Sequence, residues 1–328
     1  MRIVHVNDIA FVASTLVSGL EEAGVEARLI EPAKPGASWA YPWKLLTLPV
    51  RAWPMTSTAL RLRFGNADVV HIHYATQMLP GVLSGRPLIG HCHGSDVRGV
   101  APGSGSGQLL AALLARASAV LYSTPDLAEW VEPLRADARF LPNPIDTRAF
   151  SPDPSGTTDV LVGTKLDPIK GLDEIIEVIG RVRALRPGTS FTIIANGHGI
   201  ERAISAAGPL TTMIPVVGHH EMPELLSRHR IAIGQFRLGI LSQFELEAMA
   251  SGVPVATAFR YGGRYQEPPP LMPAARPDQA AASMIALLDD QDMRQVLATD
   301  GRAWVVRHHR LDAIVRRLLG IYQEVLAR

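Results

Sequence analysis

The chain has 328 residues, of which 47% are hydrophobic and 19% charged, and its formal net charge is +1. This length suggests two domains, and the balanced charge excludes binding to nucleic acid through bulk electrostatics. The single cysteine, Cys92, excludes an internal disulfide. We expect no membrane-spanning helix, because no run of about 18 apolar residues occurs.

Short apolar segments alternate with helical patterns, which predicts βαβ units and parallel sheets. In the first half, the predicted strands are 3–6, 27–30, 69–73, 88–92, 119–122 and 140–141, and the predicted helices are 12–23, 107–116 and 125–131. In the second half, the predicted strands are 159–162, 191–195, 214–217, 231–234 and 253–257. The helices predicted there are 171–186, 199–206, 221–228, 243–251, 277–289 and 291–307.

A proline-dense segment, 142–156, separates the two halves and predicts a linker, because proline ends both strands and helices. We therefore expect an N-terminal domain of residues 1–150 and a C-terminal domain of residues 151–310. A last helix, about 311–328, follows the second domain and is expected to pack back on the first. Ligands of such sheets bind at the carboxyl ends of the strands. We expect the two sheets to face each other, with the ligand site in the cleft between these ends.

The loop 163–171 carries two lysines between a predicted strand and a predicted helix. Lys165 and Lys170 could converge on one anion, assisted by the free N–H groups where the helix begins. Two solvated surface lysines are the alternative interpretation. Gly163, which opens the loop, would let a ligand approach the backbone.

The segment 195–201 again joins a strand to a helix, and Gly197 and Gly199 would let the backbone approach a ligand closely. A plain turn is the alternative. Arg202 stands where a dinucleotide fingerprint requires its third glycine, and the segment 7–11 after the first strand contains no glycine. A dehydrogenase is therefore disfavoured.

The segment 234–255 reads as a strand end, a loop, a helix that contains Glu247, and the next strand. Amides near Ser242, where this helix begins, could bind phosphate or sugar oxygens. Glu247 could accept hydrogen bonds from two ribose hydroxyls. The alternative for Glu247 is a glutamate that the helix dipole favours near the N-terminus.

Several motifs in a fixed order resemble the retaining GT-B glycosyltransferases of family 4, over about residues 68 to 267. In chain order they are Asp68-Val69-Val70-His71-Ile72-His73, His93-Gly94-Ser95-Asp96, Pro142-Asn143-Pro144-Ile145-Asp146 with Phe150, the loop 163–171, and Glu247-Ala248-Met249-Ala250-Ser251-Gly252-Val253-Pro254-Val255. The resemblance implies two Rossmann-like α/β domains, an N-terminal one for the acceptor and a C-terminal one for the nucleotide sugar.

By this resemblance, Lys165 and Lys170 occupy the positions of the basic pair that grips the donor pyrophosphate. Glu247 matches the second of two family glutamates, which holds the ribose, whereas Gly239 stands where the family has the first glutamate, for the donor sugar. The backbone amides of Leu241, Ser242 and Gln243 are expected to contact the donor in its place.

Two further sites are expected in addition. Backbone near Gly218 is expected to recognise the nucleotide base. His93 or Asp96 would orient the donor sugar or the acceptor hydroxyl. The alternative there is a structural turn capped by Asp96.

Two His-x-His pairs, His71 with His73 and His91 with His93, lie on predicted strands, so each pair places both imidazoles on one face. A zinc site is one interpretation. The resemblance implies instead an enzyme that needs no metal or other cofactor, and we expect none.

Residues 32–67 combine five basic residues, no acidic residue and three tryptophans. They are Lys34, Lys44, Arg51, Arg61 and Arg63, with Trp39, Trp43 and Trp53. This mixture suits an anionic interface, a phosphorylated or lipid-linked acceptor, or sugar stacking. An ordinary variable segment with core tryptophans is the alternative.

The sequence thus predicts a cytoplasmic enzyme, with peripheral membrane contact as one alternative. It would move a sugar from a nucleoside-diphosphate sugar to a hydroxyl acceptor with retention of configuration. The remaining alternatives are a catalytically impaired partner subunit and a GT-B phosphorylase or epimerase.

Overall fold

The computed structural model describes residues 1–33, 48–101, 103–153 and 156–328. The chain forms two compact units. Unit 1 contains Met1–Pro144 and Leu311–Arg328, and unit 2 contains Ile145–Arg310.

Unit 1 contains a six-stranded parallel sheet flanked by helices. Its strands are β1 (Arg2–Val6), β2 (Glu26–Ile30), β3 (Val69–His73), β4 (Leu88–Cys92), β5 (Ala119–Tyr122) and β6 (Arg139–Phe140), in the order β2-β1-β3-β4-β5-β6. Its helices are α1 (Val12–Glu22), α2 (Leu48–Phe64), α3 (Leu79–Ser84), α4 (Gly105–Ala115), α5 (Ala128–Val131) and α12 (Leu311–Leu326).

Alternate residues of the central strands of unit 1 enter two separate cores. Val70 and Ile72 belong to one core, whereas Ile3 and Val69 pack on the other face with α1 and α12. Gly19 makes the contact between these two helices possible, because a Cβ there would lie 2.8 Å from side-chain atoms of α12. The last helix therefore covers the sheet of unit 1.

Unit 2 contains a five-stranded parallel sheet. Its strands are β7 (Thr158–Val162), β8 (Phe191–Ile194), β9 (Thr211–Ile214), β10 (His229–Ile233) and β11 (Val255–Ala256), in the order β11-β10-β7-β8-β9. Its helices are α6 (Leu172–Leu185), α7 (Ile200–Ala207), α8 (Met222–Ser227), α9 (Gln243–Ala250), α10 (Pro277–Asp289) and α11 (Gln291–His309). Helix α6 buries Ile175, Val178, Ile179 and Val182, whose spacing is that of one helical face.

The predicted strand 214–217 is wrong, because β9 occupies Thr211–Ile214. Pro215 has no N–H to donate to the ladder, so the strand ends before it. Two helices of unit 1 were not predicted. Helix α2 has apolar side chains on its exposed face as well as on its buried one and contains Pro54, and α3 has only six residues.

Within the described ranges, no helix combines the length and apolar character that a bilayer crossing requires.

Candidate functional site

The predicted donor-binding residues lie at one edge of unit 2. They follow β7, β8, β9 and β10, and parallel strands have all their carboxyl ends at the same edge of a sheet. This edge carries Gly163, Lys165, Lys170, Gly197, Gly199, Gly218, Gly239, Leu241, Ser242, Gln243 and Glu247.

Lys165 is half-exposed, and its ammonium group lies 2.5 Å from Asp167 Oδ2. The other oxygen, Oδ1, lies 2.7 Å from His198 Nδ1 and accepts the His198 N–H. The Lys165 hydrogen bond, followed by those from His198, lowers the pKa of Asp167 to about 2. Lys165 therefore already has a carboxylate partner, which no pattern in the sequence indicates.

Three predicted ligand-binding glycines instead allow the protein to pack closely on itself. A Cβ at Gly197, where φ is +113°, would lie 2.6 Å from the Leu166 carbonyl oxygen. At Gly199 a Cβ would lie 2.1 Å from a methyl group of Leu172, and at Gly163 it would lie 2.1 Å from the Phe244 ring. Gly197 and Gly199 thus allow the loops after β7 and β8 to pack together, and their contact with a ligand stays a prediction.

Lys170 ends a 3₁₀ turn, Pro168–Lys170, immediately before α6. Its carbonyl oxygen accepts a hydrogen bond of 2.8 Å from the Phe236 N–H. Gly171 follows in a left-handed conformation, φ +86°, which glycine adopts without strain. The lysine loop is thereby attached to the loop after β10.

Ser242 and Glu245 form a capping box at the start of α9. Glu245 is fully buried and accepts the N–H groups of Ser242 and Gln235, each at 2.9 Å. The Ser242 hydroxyl also donates to this carboxylate. The prediction that the Ser242 amide contacts the donor is therefore corrected, because Glu245 already accepts that hydrogen.

The loop amides just before α9 differ from the Ser242 amide. Within the described part of the chain, the N–H groups of Gly239 and Leu241 donate to no protein acceptor. Gly239 has φ +72°, so a glutamate there would be strained. Both residues are buried, and these two amides have no acceptor of their own among the described residues.

Glu247 is buried in α9, one turn inside the helix. Its Oε1 lies 2.7 Å from His219 Nε2 and accepts a hydrogen bond of 3.0 Å from the Gln243 side chain. His219, which the sequence analysis missed, follows Gly218 after β9. The Gly218 N–H donates to Glu221 at 2.7 Å, within its own turn. Recognition of the nucleotide base by backbone near Gly218 stays a prediction.

In unit 1, His93 and Asp96 follow β4. Asp96 is buried, and its carboxylate accepts the N–H groups of Ala75 (2.7 Å), Gly94 (2.7 Å) and His93 (3.1 Å). Burial raises its pKa, and these hydrogen bonds act in the opposite direction. Asp96 therefore fixes two loops to each other, and its prediction as a catalytic residue is corrected to a positioning role.

Five imidazoles and one phenol form a hydrogen-bonded series on the α12 side of the unit 1 sheet. The adjacent pairs are His93–His73 (2.9 Å), His73–His5 (2.9 Å), His5–Tyr322 (3.1 Å), Tyr322–His71 (2.7 Å) and His71–His91 (3.3 Å). Burial lowers the pKa of every imidazole, to about 3 for His5 and His93. His5 and Tyr322 had no signal in the sequence.

The basic and aromatic segment 32–67 is described only in part. Lys34, Trp39, Lys44 and Trp43 lie outside the described residues, and for Arg51 no side chain is described. Helix α2 exposes Trp53 (73%), Leu60 and Phe64 (79%), whose spacing of seven and four residues places them on one face. The alternative of a core tryptophan is wrong for Trp53.

Two family descriptions match successive parts of the chain. Glycosyltransferase Family 4 matches residues 9–149, and Glycosyl transferases group 1 matches residues 158–290. The chain belongs to the family 4 glycosyltransferases. The predicted family is thereby confirmed.

Two relatives of this family 4 member are bacterial. It is 24% identical over 212 residues to a GDP-mannose-dependent alpha-(1-6)-phosphatidylinositol monomannoside mannosyltransferase of Mycobacterium tuberculosis, over 56% of this chain and 55% of the relative. It is 25% identical over 210 residues to the corresponding monoacylated-substrate mannosyltransferase of Corynebacterium glutamicum, with the same two coverages. The matched region thus spans about half the length of these relatives.

Solved structures show the same fold at low sequence identity. Sucrose-phosphate synthase from Thermosynechococcus elongatus superposes with a TM-score of 0.74 at 17% identity, over 100% of both chains. Anabaena Alr3699/HepE, solved with UDP and glucose, superposes with a TM-score of 0.69 at 12% identity, over 99% of this chain and 100% of that one. The predicted GT-B fold of two parallel-sheet α/β domains is confirmed.

Proposed function

We propose that this protein transfers a sugar from a nucleoside-diphosphate sugar to a hydroxyl acceptor, with retention of the anomeric configuration. One observation carries the proposal. The loop with Lys165 and Lys170, the positions of the family's basic pair, lies at the carboxyl edge of the unit 2 sheet and is hydrogen-bonded to the loop that leads into α9.

The two ammonium groups would neutralise the charge that develops on the diphosphate as the glycosidic bond breaks. Asp167 pairs with the Lys165 ammonium group before the donor binds. The N–H groups of Gly239 and Leu241, beside the N-terminus of α9, supply further donors for phosphate or sugar oxygens. In this scheme neither a protein nucleophile nor a metal ion acts on the diphosphate.

Glu247 would hold the ribose through its carboxylate. Its hydrogen bonds to His219 and Gln243 fix the orientation of that carboxylate before the nucleotide arrives. Because Gly239 replaces the family's first glutamate, sugar recognition in this proposal relies on main-chain amides rather than on a carboxylate.

Unit 1 would take the acceptor, and His93 at the end of β4 would orient the acceptor hydroxyl or the donor sugar. Asp96 supports this arrangement by holding the His93 backbone. The relatives' names favour GDP-mannose as the donor and a phosphatidylinositol-type glycolipid as the acceptor.

The exposed face of α2 supports peripheral contact with an anionic membrane. Trp53, Leu60 and Phe64 form its apolar centre, and helical spacing places Arg61 and Arg63 on its two flanks. Flotation with phosphatidylserine vesicles should recover the parent protein. Trp53→Ala combined with Phe64→Ala should stay unbound, and equal recovery of parent and double variant would contradict this contact.

The activity is tested by incubating the purified protein with GDP-mannose, UDP-glucose or ADP-glucose and a glycolipid acceptor. Lys170→Ala should lose at least about 10²-fold in turnover, as on removal of one oxyanion donor. Arg181→Ala on α6 removes an exposed cation of the same unit and should keep full turnover. Near-normal turnover of Lys170→Ala would refute the assigned role.

The same assays separate the remaining functions. Retention is read from the anomeric proton coupling of the product by NMR. Nucleotide binding without transfer or hydrolysis would favour a partner subunit. Transfer that depends on orthophosphate, or release of an epimerised sugar, would identify a phosphorylase or an epimerase.

A further inference from the structure

The histidine series of unit 1 contains a convergent group of three imidazoles that the proposed sugar transfer does not use as a group. His73, at the end of β3, and His91 and His93, on and after β4, each offer one ligand nitrogen, and these atoms lie within 4.8 Å of one another. No carboxylate belongs to this group. From this geometry we infer that the three histidines form a binding site for a divalent transition-metal ion, Zn²⁺ in the first instance.

One pair of these nitrogens has a spacing close to that of a tetrahedral site. Zinc–nitrogen bonds of about 2.0–2.1 Å separate two ligand nitrogens by about 3.3 Å in tetrahedral geometry. His73 Nδ1 and His93 Nε2 already face each other at 2.9 Å. A shift of a few tenths of an ångström would therefore let both lone pairs face one ion.

His91 supplies a second, independent observation. Its Nε2 atom is buried and has no hydrogen-bond partner within the described part of the chain. Leaving such an atom unsatisfied is costly, because burial removes it from water without a replacement partner. A metal ion bonded to this nitrogen would replace the missing hydrogen-bond partner.

The hydrogen bonds around the group are consistent with metal binding. If His73 binds the ion through Nδ1, its Nε2–H donates to His5, and if His91 binds through Nε2, its Nδ1–H donates to His71. His5 and His71 then both donate to the hydroxyl oxygen of Tyr322, which has two lone pairs. Such outer partners orient the ligands of metal sites.

Charge and access also fit a metal ion. Burial lowers the pKa of all three imidazoles, so they are neutral near pH 7, as ligands must be. His73 and His91 are buried, whereas His93 is partly exposed and offers an entry path. Three protein ligands leave one tetrahedral position for a solvent oxygen.

The test measures metal in the full chain without a histidine tag. After incubation with ZnCl₂ and removal of free ion, mass spectrometry should find about one equivalent of zinc per chain. Zinc should raise the melting temperature and a chelator should lower it again. Cobalt should produce the visible bands of tetrahedral Co²⁺.

Two matched variants locate the ion. His91→Gln should retain less than about 0.2 equivalents, whereas His229→Gln, which removes a buried histidine of unit 2, should retain the full amount. Less than about 0.2 equivalents in the parent, with an unchanged melting temperature, would overturn the inference without bearing on sugar transfer. Full zinc retention in His91→Gln would equally overturn it.

Discussion

Replacing Glu245 by alanine should destabilise unit 2 strongly, although this residue contacts no substrate in the proposed mechanism. The Gln235 N–H would lose a charged acceptor in a fully buried position, and α9 would lose its cap. An unsatisfied buried donor costs about 1–3 kcal/mol, and a lost cap costs about 1 kcal/mol. Together with lost packing, we expect a decrease of about 3–5 kcal/mol in the free energy of unfolding.

Urea unfolding followed by circular dichroism measures this change. Glu224→Ala is the matched control, because Glu224 forms an exposed i,i+4 pair with Arg228 that should contribute less than about 0.5 kcal/mol. Glu245→Gln keeps the shape of the side chain but places an amide donor against an N–H group. Its loss of stability should therefore lie between those of Glu224→Ala and Glu245→Ala. A loss below about 1 kcal/mol for Glu245→Ala would refute the assigned hydrogen-bonding role.

Three other predictions concern the same edge of unit 2. Glu247→Ala should weaken binding of free GDP about tenfold by calorimetry, since a hydrogen bond to a charged group contributes about 1.5–3 kcal/mol; unchanged affinity contradicts the ribose assignment. Gly197→Ala should lower the free energy of unfolding by about 2–4 kcal/mol through positive φ and contact with Leu166, whereas Gly188→Ala, where a Cβ meets nothing within 4 Å, should change it little. The pKa of Asp167 is about 2, below the unfolded value. Its contribution to the free energy of unfolding is therefore present above about pH 4 and lost as the pH falls toward 2. Urea unfolding should therefore show the parent more stable than Asp167→Asn at pH 6, with the difference disappearing near pH 2; a difference independent of pH would argue against the pairing.

The repeating units of the fold were predictable because βαβ patterns are local. Strands β3, β4 and β5 have the predicted bounds, since each is a short apolar run between turn residues. Helix α2 was missed because its residues lack a regular apolar period and include Pro54. In such a helix, contacts that are distant in sequence outweigh local preference.

The candidate site was predictable where a motif is contiguous, as in the loop with Lys165 and Lys170. The side chains that contact these motif residues were not predictable from the sequence. His219 lies 28 residues from Glu247, and Tyr322 lies 251 residues from His71. Local patterns do not indicate which side chains the sheet order brings together. The contact of Ser242 with its own loop was therefore not predicted, and that of Asp96 was given only as the alternative.

The discontinuity of unit 1 has a consequence for how the protein is made. The Ile145 N–H donates to the His309 carbonyl oxygen at 2.8 Å, so the chain leaves unit 2 beside the point where it enters. During synthesis, all of unit 2 emerges from the ribosome before α12 does. Until then Ile3 and Val69 lack their α12 cover, and His5 and His71 lack the Tyr322 hydroxyl. Of the two sheets, the one that is translated earlier is therefore the later to have its core fully covered.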